Sequence, residues 1–229
     1  MAPLDLAAFV LFAVAWLFYE PLLTALGKRR GGVINTDMTT IRGAWMRNMT
    51  VRENRFMDGQ LLGHALNSAS FFASSNLILI AATASALFGG ENTFRSVSAL
   101  ELIKTSSRAL FELQLALVVI ALVRSLLDFI WSIRQMNYCI AAVGATPLQA
   151  PEDRLNAIAD AVARVLNPAL SSFNRGVRGY YFALAAAAWL FGPVAFMAAT
   201  LGAVGLLVWR QRSSAAATAI RDLRRLLED

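Results

Sequence analysis

The sequence predicts an all-α, polytopic membrane protein with one membrane domain, four transmembrane helices and amphipathic cytoplasmic helices. Of its 229 residues, 57% are hydrophobic and only 16% are charged, whereas charged residues make up about 25% of an ordinary soluble domain. Four apolar segments each reach the roughly 20 residues that a helix needs to cross a bilayer. They cover about residues 4–26, 60–89, 109–133 and 179–209. A helix satisfies its own backbone polar groups in lipid, so we expect each segment to be helical.

The first apolar segment is predicted to be an uncleaved anchor. Its start carries Asp5 and no basic residue, and the basic cluster of Lys28, Arg29 and Arg30 comes after it. A signal peptide has the reverse order, with the basic residues first. This order fits a first span whose N-terminus lies outside the cytoplasm.

The connecting segments predict the orientation of the spans. Residues 27–59 carry seven Lys or Arg and residues 134–178 carry five, against three (Arg95, Lys104 and Arg108) in residues 90–108. Because Lys and Arg concentrate in cytoplasmic loops, we expect both long loops in the cytoplasm. Five arginines follow Trp209, and four crossings would place them outside. Two interpretations stay open: the tail breaks the bias, or the last segment does not simply cross.

The loops and the tail are predicted to contain amphipathic helices, over about residues 36–57, 150–170 and 213–228. Pro151 and the acidic residues after it mark a helix start, and Pro168 is expected to end or kink that helix. Such helices lie in the headgroup layer or pack on one another. Within span four, Gly192 and Pro193 predict a hinge or a static kink.

Span three carries charges inside an apolar run. Arg124 and Asp128 are four residues apart and share one helix face, and Glu112 lies nearer the outer end of the same helix. An arginine near the centre of a span costs about 2.5–3.5 kcal/mol on insertion scales, so the pair should face other helices or water. One interpretation is an ion or proton path lined by these three residues. The other, which we favour, is a structural ion pair that locks helices together.

Span two carries a polar stripe that begins at His64 and Asn67. It continues through Ser70, Ser74 and Ser75, with Asn76 beside it. The stripe lines a hydrated pathway or, as we favour, packs against another helix, since small and hydroxylated residues suit helix seams. We interpret His64 as a hydrogen-bonded interface residue, with a proton relay as the alternative because its ordinary pKa is about 6.5.

A third polar group flanks the cytoplasmic ends of spans two, three and four, and the predicted topology brings its members to one membrane depth. Arg and Tyr there are typical of anchoring to anionic lipid headgroups. A basic vestibule for an anionic lipid, nucleotide or partner loop is the alternative, and the asparagines favour a packed polar network. The members are Arg52, Arg55, Asp58, Arg134, Asn137, Tyr138, Asn174 and Arg178, with Arg175, Tyr180 and Tyr181 nearby.

Motifs for catalysis or cofactor binding are missing from the sequence. Cys139 is the single cysteine and His64 the single histidine, and neither has metal-ligand spacing. There is no P-loop, GxSxG or HExxH pattern. We therefore expect no enzyme activity, no cofactor and no metal. The apolar runs leave no separate domain for nucleic acid.

Four stretches carry a resemblance to a known family: RENRFMDGQLL (52–62), SASFFASSNLILI (68–80), IRQMNYCIAAVGATP (133–147) and FNRGVRGYYFALAAAAWLFGP (173–193). Together they resemble the bacterial and plant membrane proteins catalogued as domain of unknown function five hundred and ninety-nine. The resemblance covers nearly the whole chain and implies a multi-pass helical inner-membrane protein. It implies no catalytic residue.

Two hypotheses for function follow. The first is an oligomeric or accessory interaction protein, which packs against itself or a larger membrane complex and contacts anionic lipid. Its support is the amphipathic helices, the small-residue seams and the lack of a catalytic set. The alternative is an oligomeric ion channel or small-solute transporter that uses the charges of span three.

Overall fold

The computed structural model describes residues 2–30, 33–100, 103 and 107–228, and the side chains of all of these except 22 and 24–30. Lys104 and the side chains of Lys28, Arg29 and Arg30, which entered the charge count, lie outside this description. Over the described residues the chain is helical and contains no strand, which confirms the all-α class. The helices are α1 Pro3–Arg30, α2 Ile34–Val51, α3 Phe56–Phe88, α4 Gly90–Ser98, α5 Arg108–Ala145, α6 Glu152–Ala187, a 3-10 turn Ala188–Phe191, α7 Pro193–Arg212 and α8 Ala215–Glu228.

Four helical segments are long and apolar enough to cross a membrane: Pro3–Pro21, Phe56–Phe88, Arg108–Ala145 and Pro193–Glu228. This confirms the predicted polytopic membrane protein. The 38 residues of α5 extend about 57 Å at 1.5 Å per residue. The hydrocarbon core of a bilayer is only about 30 Å thick, so α5 is long enough to continue well beyond it.

The chain divides into two compact units, each built from three stretches. Unit 1 contains Met1–Leu26, Ser74–Leu126 and Gly176–Trp209. Unit 2 contains Gly27–Ala73, Leu127–Arg175 and Arg210–Asp229. The segments predicted to form amphipathic helices, about residues 36–57, 150–170 and 213–228, therefore lie in unit 2.

Within unit 1 the end of α6 and most of α7 run in opposite directions beside α1. Going along α1, Asp5 contacts Trp189, Phe12 contacts Phe182, and Glu20 contacts Arg178, so the order along α6 is reversed. The order along α7 is direct: Phe12 contacts Phe196, and later residues of α1 share a groove with residues 201–208. The chain therefore turns back between α6 and α7.

The turn occurs at Gly192, whose φ is +107°. That backbone conformation is readily open only to glycine, and the following Pro193 has no N–H with which to continue the helix. The Trp189 carbonyl accepts the Gly192 N–H at 2.9 Å and the Gln114 side-chain amide at 3.0 Å. A new helix starts where the Phe196 N–H bonds the Gly192 carbonyl at 3.1 Å.

The predicted boundaries of the loop helix (150–170) and of span four (179–209) are wrong. One helix, α6, runs from Glu152 to Ala187 straight through Pro168. A proline inside a helix costs about 3 kcal/mol, but the residues on both sides of Pro168 are firmly packed: Leu166 and Ala169 are fully buried. The apolar stretch then reverses at Gly192 instead of continuing as a single helix.

Unit 2 has its own hydrophobic core, in which α2, the start of α3, the end of α5 and the first half of α6 pack together. Its buried residues are Met46, Met49, Leu62, Cys139, Val143, Ala159, Val162, Ala163 and Leu166. α8 packs against α2 in the same unit, and Arg224 of α8 donates to the fully buried Asp37 of α2 at 2.8 Å. The tail therefore belongs to the same unit as the first connecting segment.

Candidate functional site

The charged residues predicted to line a path along span three lie in different environments. Glu112 forms an ion pair with Arg108 at 2.7 Å, and both side chains are about half exposed (42% and 50%). Arg124 is exposed on unit 1, whereas Asp128 is mostly buried in unit 2. The expectation that all three are buried is therefore wrong for Glu112 and Arg124, because those faces of α5 are not covered by the chain's own helices.

Asp128 belongs to a polar network that joins α5 to α6. Its carboxylate accepts a hydrogen bond from Arg175 Nε at 3.0 Å. Arg175 also donates to Ser172 Oγ at 2.7 Å, and Gln135 donates to the same hydroxyl at 3.3 Å. The Arg175 and Asp128 side chains are only 29% and 13% exposed. A pair with this burial fixes the register of two helices, whereas the structural interpretation had assigned that role to a pair of Asp128 with Arg124.

The polar stripe of α3 faces outward in its first half. His64, Asn67 and Ser68 are exposed on the same face as Phe71, which is 67% exposed. The expectation that His64 and Asn67 are buried within the chain is wrong. Asn76 was expected only beside the stripe, but it is fully buried in unit 1 and donates to the Leu122 carbonyl of α5 at 2.9 Å. Asn76 thus makes the helix-to-helix bond that the stripe was expected to make.

Asp58 and Arg52 form an ion pair inside unit 2. The Asp58 side chain is fully buried, and its Oδ1 accepts from Arg52 Nη1 at 2.5 Å and from Trp45 Nε1 at 2.6 Å. Because these donors come from α2 and the segment that follows it, Asp58 fastens α2 to the start of α3. Trp45 lies on the amphipathic helix predicted over residues 36–57, but its N–H partner Asp58 lies on another helix, so the helical pattern does not indicate this bond.

Arg55 stabilises the ends of two helices. Its guanidinium donates to the carbonyls of Met49 and Thr50 at the end of α2, at 3.2 and 3.1 Å. It also donates to the carbonyls of Thr146 and, at 2.8 Å, Pro147, which follow the end of α5. The last carbonyls of a helix have no partner within the helix, and arginine is well suited to bond them. The contacts of Arg55 in the chain are therefore structural.

The remaining members of the predicted cytoplasmic-face group are dispersed. Arg134 lies 3.4 Å from the Tyr138 hydroxyl on the exposed surface, and Asn137 is exposed beside them. Asn174 donates to Asn35 Oδ1 at 3.0 Å, which ties α6 to α2 in unit 2. Asn174 thus takes part in a packed polar contact within unit 2, whereas Arg134, Asn137 and Tyr138 lie on its surface.

Arg178 belongs to unit 1, where it contacts α1. Its Nη2 lies 3.3 Å from Glu20 Oε2, and its guanidinium carbon lies 5.5 Å from the centre of the Tyr19 ring. The Arg178 side chain is only 11% exposed. A guanidinium over an aromatic face is an attractive arrangement, so Arg178 holds the end of α6 against α1.

A buried polar contact in unit 1 was not predicted. Asp5 is 6% exposed and accepts the Trp189 indole N–H at 2.9 Å, while Gln114 supports the carbonyl of the same Trp189. Asp5 was interpreted only as a sign against a signal peptide. Its buried partner lies 184 residues away in sequence, and no local spacing relates the two.

Arg42 of unit 2 has a shifted pKa. Burial lowers the pKa of Arg42 to about 10. Its Nη1 lies 3.3 Å from Asn167 Oδ1, and its Nε has no hydrogen-bond partner among the described residues. Among the described residues, no group of three or more His, Cys, Asp or Glu is arranged to hold a metal ion.

The fold and these contacts define a polytopic helical membrane protein whose polar groups join helices within each unit. The chain belongs to the family described as "Protein of unknown function, DUF599", whose model matches residues 7–216. Comparison with curated proteins and with solved structures gives no match.

Proposed function

We propose that the protein is a non-catalytic interaction protein of the bacterial inner membrane, which assembles with itself as a homo-oligomer or joins a larger membrane complex. The observation that carries this proposal is the exposed polar face of α3, formed by His64 and Asn67 of the predicted stripe and by the neighbouring Ser68. α3 is apolar enough to cross a membrane. Polar groups on such a helix are unfavourable toward lipid and are normally turned toward other helices or water.

The arrangement of the charges supports packing over transport. Asp128 is held by Arg175, Glu20 by Arg178, and Glu112 by Arg108. Each pair joins groups that a path would need to keep available for a passing ion. The pairs instead hold helices or successive helical turns together.

The orientation that we propose has the N-terminus outside and the tail in the cytoplasm. α8 packs against α2 in unit 2, and the chain turns back at Gly192, so the end of α6 adds a fifth crossing between α5 and α7. The five arginines of the tail then join the two basic loops on one side, which agrees with the concentration of positive charge in cytoplasmic segments. These arginines also favour contact with anionic lipid.

An oligomeric channel is the second candidate, and the exposure of His64 and Asn67 on α3 favours it. If several copies packed with their α3 stripes around a common axis, His64 and Asn67 would line that axis. A closed ring of identical subunits is the usual way for a small chain to form a pore.

The test is the mass of the protein purified in mild detergent, together with ion flux in liposomes. We expect a homo-oligomer or a stoichiometric complex, and we expect Asn67→Leu to weaken it. An interhelical hydrogen bond of about 0.6 kcal/mol, with a maximum near 1.7, corresponds to about a 3- to 18-fold rise in the dissociation constant. Asn156→Leu makes the same change at an exposed position on α6 and should leave assembly intact.

The two candidates give different outcomes. A monomer without any partner in mild detergent would refute the interaction proposal. Flux through the wild-type protein that disappears in Asn67→Leu, while the mass of the complex is unchanged, would establish the channel instead.

A further inference from the structure

Unit 2 contains an open polar pocket between α2 and α6. Its volume is about 400 Å³, which lies within the range of about 300–1,000 Å³ that small-molecule sites occupy. The lining includes Thr40, Gly43 and Arg47 of α2 and Asp160, Arg164 and Asn167 of α6. Most of these side chains are polar or charged, so the pocket suits a polar ligand.

Arg47 and Arg164 bring one guanidinium from each helix to the pocket. Arg47 Nη1 lies 3.8 Å from Asp160 Oδ1, and the two side chains are 48% and 60% exposed. This distance is too long for a hydrogen bond, so the N–H groups of Arg47 remain free to bond another acceptor. Arg164 is exposed, and its side chain forms no ion pair or hydrogen bond with the residues that the structure describes.

Asn167 adds a neutral donor to the two guanidiniums. Its Oδ1 accepts a hydrogen bond from Arg42 Nη1 at 3.3 Å, which fixes the orientation of the side-chain amide. The Nδ2 of Asn167 has no partner among the described residues and is not buried. This nitrogen is therefore free to donate to a ligand in the pocket.

Arg42 places a further positive charge next to the pocket, one side-chain amide away. The residue is only 6% exposed, and within the described part of the chain it forms no ion pair with a carboxylate. A buried cation without a counter-ion is unfavourable. An anion bound by Asn167 would compensate this charge.

The carboxylates near the pocket leave this positive charge in excess. Glu228 of α8 reaches the rim, where its Oε1 lies 3.5 Å from Thr40 Oγ1, but its Oε2 is paired with Arg224 at 3.1 Å. Arg224 also holds Asp37 at 2.8 Å. The arginines thus outnumber the carboxylates by four to three: Arg42, Arg47, Arg164 and Arg224 against Asp37, Asp160 and Glu228.

We propose that this pocket binds the phosphate group of an anionic ligand. The guanidiniums of Arg47 and Arg164 and the Nδ2 of Asn167 donate to the phosphate oxygens, and Asp160 competes with the ligand for Arg47. Guanidinium N–H groups match the geometry of phosphate oxygens. A soluble phosphate ester and the headgroup of phosphatidic acid both offer this chemistry. The site is independent of the exposed face of α3 and of any assembly through it.

The binding experiment uses protein purified in an uncharged detergent and distinguishes the two sources. Glycerol 3-phosphate is titrated by calorimetry at constant ionic strength, with chloride as the control anion. Phosphatidic acid and phosphatidylcholine with the same acyl chains are compared by native mass spectrometry. For a soluble source we expect saturable binding of glycerol 3-phosphate. For a lipid source we expect tighter retention of phosphatidic acid than of phosphatidylcholine, without binding of glycerol 3-phosphate.

Four variants test the residues of the pocket with whichever ligand binds. Arg164→Gln should weaken binding about 5-fold, which corresponds to about 1 kcal/mol for an exposed ion pair. Arg154→Gln makes the same charge change at an exposed position of α6 and should leave binding intact. Asp160→Asn removes the competitor for Arg47 and should tighten binding. Asp153→Asn, also exposed on α6, should not change it.

Three results would overturn the proposal, with the helical content of each variant checked by circular dichroism. The first is that neither glycerol 3-phosphate nor phosphatidic acid binds in preference to its control. The second is an unchanged affinity in a folded Arg164→Gln variant. The third is an equal loss of affinity in Arg164→Gln and Arg154→Gln, which would show attraction to the net charge of the protein without a site.

Discussion

Replacement of Gly179 by alanine tests how closely α5 and α6 approach in unit 1. An added Cβ would lie 2.2 Å from Ser125 Oγ, 2.8 Å from Ser125 Cβ and 3.4 Å from Ser125 Cα. The first two distances are too short for any contact, so Ser125 or the helix must move. Ser125 Oγ cannot simply rotate away without a loss, because it donates a hydrogen bond to the Gly176 carbonyl.

The magnitude follows from three contributions. Overpacking of a tight interface costs about 1–3 kcal/mol, and the lost Ser125 hydrogen bond costs about 1 kcal/mol. Alanine gains up to about 1 kcal/mol over glycine inside a helix. We therefore expect Gly179→Ala to lower the free energy of unfolding by about 1–3 kcal/mol.

The assay is equilibrium unfolding in mixed detergent micelles, followed by circular dichroism. Gly202→Ala on α7 is the matched control, because its Cβ would meet no heavy atom within 4 Å among the described neighbours. Ser125→Gly should rescue Gly179→Ala, since only the ordinary 3.4 Å contact with the Cα remains. A fully stable Gly179→Ala variant, or a loss of stability that Ser125→Gly does not reduce, would refute the close approach.

Two further predictions concern unit 2. Asp58→Asn removes the charge that accepts hydrogen bonds from Arg52 and Trp45 and should lower the free energy of unfolding by about 1–3 kcal/mol in chemical unfolding. Asp153→Asn, at an exposed position of α6, should lower it by almost nothing. Equal losses of stability in the two variants would contradict the role of Asp58. Because burial lowers the pKa of Arg42 from its ordinary value to about 10, the unfolded chain binds more protons above that pH, and stability relative to Arg42→Met should rise with pH from about 10 upward. A difference between the two proteins that stays flat to pH 11.5 would contradict this assignment.

Hydropathy was sufficient to predict the class of the fold and the segments that are apolar enough to cross a membrane, because length and composition decide both. Gly192 and Pro193 also predicted a hinge or a kink in the helix of span four. Whether such a pair gives a kink or a reversal depends on partners elsewhere: Gln114 of α5 supports the Trp189 carbonyl at the turn. Sequence spacing contains no information about that contact.

In the candidate site, too, the sequence indicated the local contacts and not the contacts between distant residues. The i,i+4 relation of Arg124 and Asp128 is visible in the sequence, but the bond from Arg175 to Asp128 joins helices through residues 47 apart. The stripe of α3 was also recognisable as a pattern, although its exposure was not. A polar face that packs on the same chain and one that stays exposed have the same spacing, and only the fold distinguishes the buried Asn76 from the exposed Asn67.

The contact between Asp37 and Arg224 has a consequence for how the protein is made. Its two residues are 187 positions apart, and the stretches of unit 2 are separated in the sequence by the segments of unit 1. Contacts of such separation form late and slowly. During synthesis, the Asp37 carboxylate of α2 would therefore lack its Arg224 partner until α8 has left the ribosome. Docking of α8 is thus the step that completes unit 2, and a chain that stalls before residue 215 should be recognisable to the cell's proteases by the surface left open on α2.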